Sequence, residues 1–284
     1  MNRSTVSLMD LPDEILFTIW NKLNKLDVLY SFVDVNRRFN KLIVSNLVDF
    51  NCTPTNAWRQ HARLSMHDLP STTYLLPNII NLRISVDTLD DCLYLLDGRL
   101  ACLRTLRVKI YNIQAFTIDI GSTTLTNLQS FSLISISNIE VYDTHVLPIL
   151  RRMISLEQLM LYLTAFERST FIDGAHFENE ILIHMPRLQR FIFDVFAHTN
   201  VISEVNLRLN DDIQSTFLNG RYGRVVTYIE YYFEQNARSH VYSLPYTIDE
   251  ALQTSNNFSR RLHPNVHRLL LSDVVLPFEH HFFF

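Results

Sequence analysis

The sequence predicts an α/β solenoid: a short three-helix module at the N-terminus, then irregular units that each join one strand to one helix. Three observations carry this. Apolar residues recur at helical spacing over the first forty positions and at strand spacing after about residue 75. A six-residue pattern, apolar-x-x-apolar-x-apolar, then occurs six times at near-regular intervals. Finally, 47% hydrophobic content over 284 residues can bury a large core.

Residues 1–10 read as a flexible N-terminus and residues 11–50 as the helical module. Pro12 suits a first helical position, where its missing N–H costs nothing, and Asp13 and Glu14 sit where the helix dipole favours negative charge. Ile15, Ile19 and Leu23, with Leu16 and Trp20 beside them, form one wide apolar stripe. Asp27 is a good N-cap ahead of Val28, Leu29 and Phe32, and a third run holds Val35, Phe39, Leu42 and Ile43. Three helices this short do not enclose so much apolar surface by themselves. Part of the stripe therefore needs a partner.

The order Leu11-Pro12-x-Glu14-Ile15-Leu16, then Ile19, Leu23, Asp27 and Leu29, then Val35-x-Arg37-x-Phe39, resembles the F-box. Phe39 stands where that family usually has Trp, and Asn36 where it often has Cys. The resemblance implies a substrate-recognition subunit of a Skp-cullin-F-box type ubiquitin ligase, docked on a Skp-family adaptor and through it on a cullin. It makes Leu11, Pro12, Ile15, Ile19, Leu23 and Leu29 the adaptor-facing positions. In the alternative reading, the helices only cap the array of a protein-interaction scaffold with no ligase role.

Residues 51–75 read as a helical connector, with Val44, Leu47, Val48 and Phe50 extending the third helix ahead of it. From 76 to 284 the repeated pattern takes over: IINLRI, LRTLRV, LQSFSL, LEQLML, LQRFIF and VHRLLL. Their middle apolar residues, Leu82, Leu106, Phe131, Leu159, Phe191 and Leu269, are spaced by 24, 25, 28, 32 and 78 residues. The array resembles divergent leucine-rich repeats. It lacks the Asn or Cys of that consensus, with Thr164 and Phe196 at the corresponding places. Helical segments are expected at DTLDDCLYLL, DTHVLPILRRM, GAHFENEILIHM and NDDIQSTFL. Val225 to Phe233 and Val241 to Leu244 read as two strands of a hairpin, and DEALQTSNNF as one more helix. The chain stops at LPFEHHFFF, as an array incomplete at its C-terminus would.

Composition narrows the function. Net charge is −4 and the 25 basic residues are scattered, so no nucleic-acid partner is expected. No apolar run suggests a leader or a membrane span, which points to a cytoplasmic or nuclear protein. Cys52, Cys92 and Cys102 lack ligand spacing and read as buried free thiols. The chain carries no G-x-S-x-G, Walker, G-x-G-x-x-G or H-E-x-x-H motif, and its five glycines are few for a phosphate loop. His61, His67 and the His280-His281 pair have no ligand or catalytic partner at a useful spacing. Asp90-Asp91 and Asp211-Asp212 open predicted helices and read as caps. No enzymatic activity, cofactor or metal is expected.

A protein target is expected on the strand positions between the core residues. One row runs Arg83, Arg107, Ser132, Met160, Ile192, and the next Ser85, Lys109, Ile134, Tyr162, Asp194. Arg83, Arg107 and Lys109 would present a basic surface, and Met160, Tyr162 and Ile192 an apolar patch. A loop or the Tyr-rich stretch 225–233 folded over that patch is the other reading.

Overall fold

The repeated apolar pattern is where a sheet forms. The computed structural model describes residues 11–22, 49–52, 79–96, 100, 102–113, 127–200, 209–218, 222–232, 236–247, 250–251 and 268–269. Eight strands lie in one sheet: β1 (Asp49–Cys52), β2 (Asn81–Thr88), β3 (Thr105–Asn112), β4 (Ser130–Ile139), β5 (Gln158–Arg168), β6 (Arg190–Thr199), β7 (Arg224–Tyr232) and β8 (Asn236–Leu244). Their order is β1-β2-β3-β4-β5-β6-β8-β7. The first six are parallel, and β8 and β7 join antiparallel.

Leu82, Leu106, Phe131, Leu159 and Phe191 stand level with one another across β2 to β6. One step on, Ile84, Val108, Leu133, Leu161 and Phe193 do the same, and all ten are buried on one face. Short helices cover that face: α2 (Leu89–Leu96), a π-helical turn at Tyr142–Val146 running into α3 (Leu147–Arg151), α4 (Gly174–Glu180), a 3-10 turn at Leu182–His184, and α5 (Asn210–Ser215). Aromatic rings knit helix to strand. Phe177 of α4 meets Phe191 edge-on at 5.1 Å and Phe193 at 4.9 Å, and Phe217 stacks on Phe193 at 5.9 Å.

The acidic pairs cap as expected. At α2, Asp91 accepts from the Thr88 amide at 3.0 Å and the Thr88 hydroxyl at 2.7 Å, and Asp212 accepts from the Leu209 amide at 2.8 Å ahead of α5.

These elements correct the expected fold class. The described residues build a mixed eight-stranded sheet with five short helices, an α/β sheet fold, and not a strand-helix solenoid behind a three-helix module. Two features make the difference. The β-rich stretch from Val225 pairs with its own hairpin partner, and β8 then takes the outer edge of β6 antiparallel, which ends the parallel order. Asp49–Cys52, assigned to a third helix and the connector, is instead a strand on the outer edge of β2. Of the helical start, α1 (Asp13–Lys22) is described, while Leu23, Leu29 and the rest of the expected module lie outside the described residues, as do residues 1–10. Glu250–Ala251, expected to begin a helix, forms strand β9. It pairs parallel with β10 (Arg268–Leu269), so the sixth repeat belongs to a separate two-stranded sheet.

Candidate functional site

Two places gather the residues singled out by the sequence: the start of α1 and the sheet face away from the helices. At α1, the Pro12 carbonyl accepts the Ile15 and Leu16 amides, each at 3.1 Å, so the helix starts directly after the proline. This sends neighbouring side chains to opposite sides. Leu16 is fully buried, whereas Ile15 is 47% exposed, Pro12 is exposed, and Leu11 and Ile19 are half-buried.

On the sheet face, Arg83 and Arg107 stand level on adjacent strands and Lys109 lies one step on, all three half-buried. Met160 and Ile192 are level on β5 and β6 and also half-buried, with the Ser132 hydroxyl directed at the Met160 sulfur at 3.3 Å. Tyr162 departs from expectation. It is 3% exposed, packed with Ile134, Tyr242 and Tyr246 in a second apolar cluster. Tyr242 of β8 and Tyr246 just beyond it cover the patch, so Tyr162 is no exposed binding residue. Of the two readings of that patch, a covered surface is the one that forms around Tyr162: Tyr242 and Tyr246 supply most of the cover, and Val226 of the stretch 225–233 packs against it.

Beneath this cover lies the feature that sequence reasoning missed. Asp194, 2% exposed, interrupts the apolar run of β6 and stands level with Tyr162 on β5 and Tyr242 on β8. His240 Nε2 lies 2.7 Å from its Oδ1, and the Tyr246 hydroxyl donates to its Oδ2. The imidazole of His240 stacks on Phe196 at 3.8 Å, and the Arg238 guanidinium sits over the other part of this layer, 4.3 Å from the Phe196 centroid. A charge within an otherwise apolar run was the available signal, but its histidine and tyrosine partners are 46 and 52 residues away.

The electrostatics of the cluster favour holding over reacting. Burial, and then the Asp194 charge, push the Tyr242 phenol up to about 12 and raise that of Tyr246 further. A nucleophile or general base needs a pKa brought towards neutrality, and these phenols move the other way. They stay protonated, the form in which Tyr246 donates to the carboxylate.

A further polar group sits on the helical side. Arg168, 5% exposed, donates to Asp143 and lies 5.1 Å from the Tyr142 ring centroid, while the Tyr142 hydroxyl is 3.4 Å from His176 Nε2. These contacts tie the end of β5 to the π-helical turn and α4. Burial, then Arg168, lower the His176 pKa to about 4. Of the cysteines, Cys92 is buried and free, its thiol pushed up to about 12 by burial and then by Asp91. Cys102 is free and exposed, contrary to the buried thiol expected there. Among the described residues no group of three or more His, Cys, Asp or Glu is placed to hold a metal, and no helix is long and apolar enough to cross a membrane.

Fold and site together define an α/β protein on an open mixed sheet, one face roofed by short helices and the other bearing a closed aromatic cluster around a buried carboxylate. No protein-family model matches the chain, and neither does any curated protein or solved structure.

Proposed function

We propose that this chain is the substrate-recognition subunit of a Skp-cullin-F-box type ubiquitin ligase, bound to a Skp-family adaptor through the segment that carries Leu11, Pro12, Ile15, Ile19, Leu23 and Leu29. The observation that favours it is the split at the start of α1: Leu16 is fully buried while Pro12 and the 47% exposed Ile15 face outward. An exposed Pro and Ile beside a buried Leu form an apolar edge suited to a partner. In this reading the chain performs no bond chemistry. It raises the effective concentration of a target protein near the conjugating machinery. The basic positions Arg83, Arg107 and Lys109 and the apolar Met160 and Ile192 are the target-facing residues of this proposal.

Co-purification of the full chain with the Skp-family adaptor tests the reading. Leu11→Ala with Ile15→Ala removes two apolar side chains worth about 1.5–3 kcal/mol each when buried, so capture should fall by well over tenfold. Ile15 is outward-facing, so circular dichroism of the variant should match the wild type. A wild-type chain that brings down no adaptor, or a folded variant that brings it down equally well, would refute the ligase role and leave the interaction scaffold.

A further inference from the structure

Among the described residues β7 is the outermost strand of the sheet, at the end away from β1. Side chains of α5 fill its outer edge. Asn210 Oδ1 accepts the Ile229 amide at 2.7 Å, and Gln214 Nε2 donates to the Val225 carbonyl at 2.8 Å. Both backbone groups therefore point away from β8, and by strand alternation those of Thr227 between them do the same. The body of α5 lies elsewhere. Ile213 and the following Phe217 are buried in the core, and the Thr227 hydroxyl, on the core face of β7, donates to the Asn210 carbonyl at 3.1 Å. The helix thus sits over the core face, and two amide side chains reach from it to the hydrogen-bonding groups of the edge. They take the place of a further strand.

The residues of β7 also match a second copy of themselves. Antiparallel pairing about Thr227 sets Val225 opposite Ile229 at hydrogen-bonded positions, with Thr227 opposite its own mate. On the other face Val226 meets Tyr228 and Arg224 meets Glu230, once on each side of the two-fold axis. Glu230 is already level with Arg238 of β8, so the added arginine extends a row of alternating charge. We propose that this edge is a self-association surface that α5 keeps shut, and that its partner is a second copy of this chain. With the Asn210 and Gln214 side chains withdrawn, two β7 strands pair and the sheets of both copies become continuous. Neither α1 nor the basic row takes part, and the inference stands apart from the ligase reading.

The test is sedimentation velocity of the full chain carrying Asn210→Ala and Gln214→Ala, with circular dichroism to show that it is folded. The wild type should stay a monomer up to about 100 µM, and the double variant should dimerise with a Kd below that concentration. Gln214→Glu is a second, isosteric opening of the edge: it replaces the donor facing the Val225 carbonyl by an acceptor, and should give the same dimer more weakly. Arg224→Glu, at an exposed position, sets like charges opposite Glu230 and should weaken dimerisation of the double variant about tenfold. Folded variants that both remain monomeric overturn the proposal. So does a dimer that Arg224→Glu leaves unchanged, or a wild type that dimerises as tightly as the double variant.

Discussion

Asp194 is a carboxylate buried on the sheet face of Tyr162 and Tyr242, and its cost in that environment is offset only by its donors. Tyr246 and His240 supply them, and both come from chain beyond the β7–β8 turn. Tyr246→Phe keeps the ring and removes one donor, leaving a buried carboxylate under-satisfied. It should lower stability by about 1–3 kcal/mol, read from the midpoint of urea unfolding, with little change in slope. An unchanged midpoint would show that the hydroxyl contributes nothing to holding the cover over Tyr162. Asp194 was legible as a position on the non-core face. Its burial was not, because burial there depends on Tyr242 and Tyr246, which no local pattern ties to β6.

At the level of elements, α4 shows how tightly the helical layer sits. Its N-cap Asp173 accepts the His176 amide at 2.8 Å, and Gly174 lies against the turn after α5, where a Cβ would meet the Thr216 carbonyl oxygen at 2.1 Å. The same glycine donates its amide to the Thr216 hydroxyl at 2.7 Å and accepts from Tyr222 at 2.9 Å. Gly174→Ala should therefore force α4 and α5 apart and destabilise by about 1–3 kcal/mol, measured as a lower Tm in calorimetry. A Tm equal to the wild type would mean that the contact relaxes freely. The strands β2 to β6, the four helical segments that follow most of them, and the β7–β8 hairpin were all readable from periodicity and β-former density. Asp49–Cys52 and Glu250–Ala251 were not, since a few residues carry too little pattern and their strand state comes from the edge each one pairs with.

For the whole molecule, two half-buried histidines set a response to acid. Burial, then Arg168, lower His176 to about 4; burial, then Arg238, lower His198 to about 4. A lowered folded-state pKa means that the unfolded chain takes up protons between pH 6.5 and 4 while the fold does not. Stability is therefore complete above pH 6.5 and falls as pH drops to 4, on the order of a few kcal/mol for the pair after solvent screening. Urea midpoints across that interval measure the slope, and His176→Gln with His198→Gln should flatten it. A double variant as steep as the wild type would place the acid response elsewhere.

Taken by itself, the sequence determined where strands β2 to β8 lie, which residues of β2 to β6 face the core, and that Leu82, Leu106, Phe131, Leu159 and Phe191 align. These follow from local spacing, because side-chain direction in a strand alternates residue by residue. It also determined the helix caps, whose partners are three residues apart. Only the tertiary structure decided that the sheet is mixed, that β8 rather than β7 borders β6, and that Tyr162 is covered. Each of those depends on which distant segments meet. Pairing of that kind is selected by the free energy of the whole packed arrangement, and short-range periodicity carries almost none of that information.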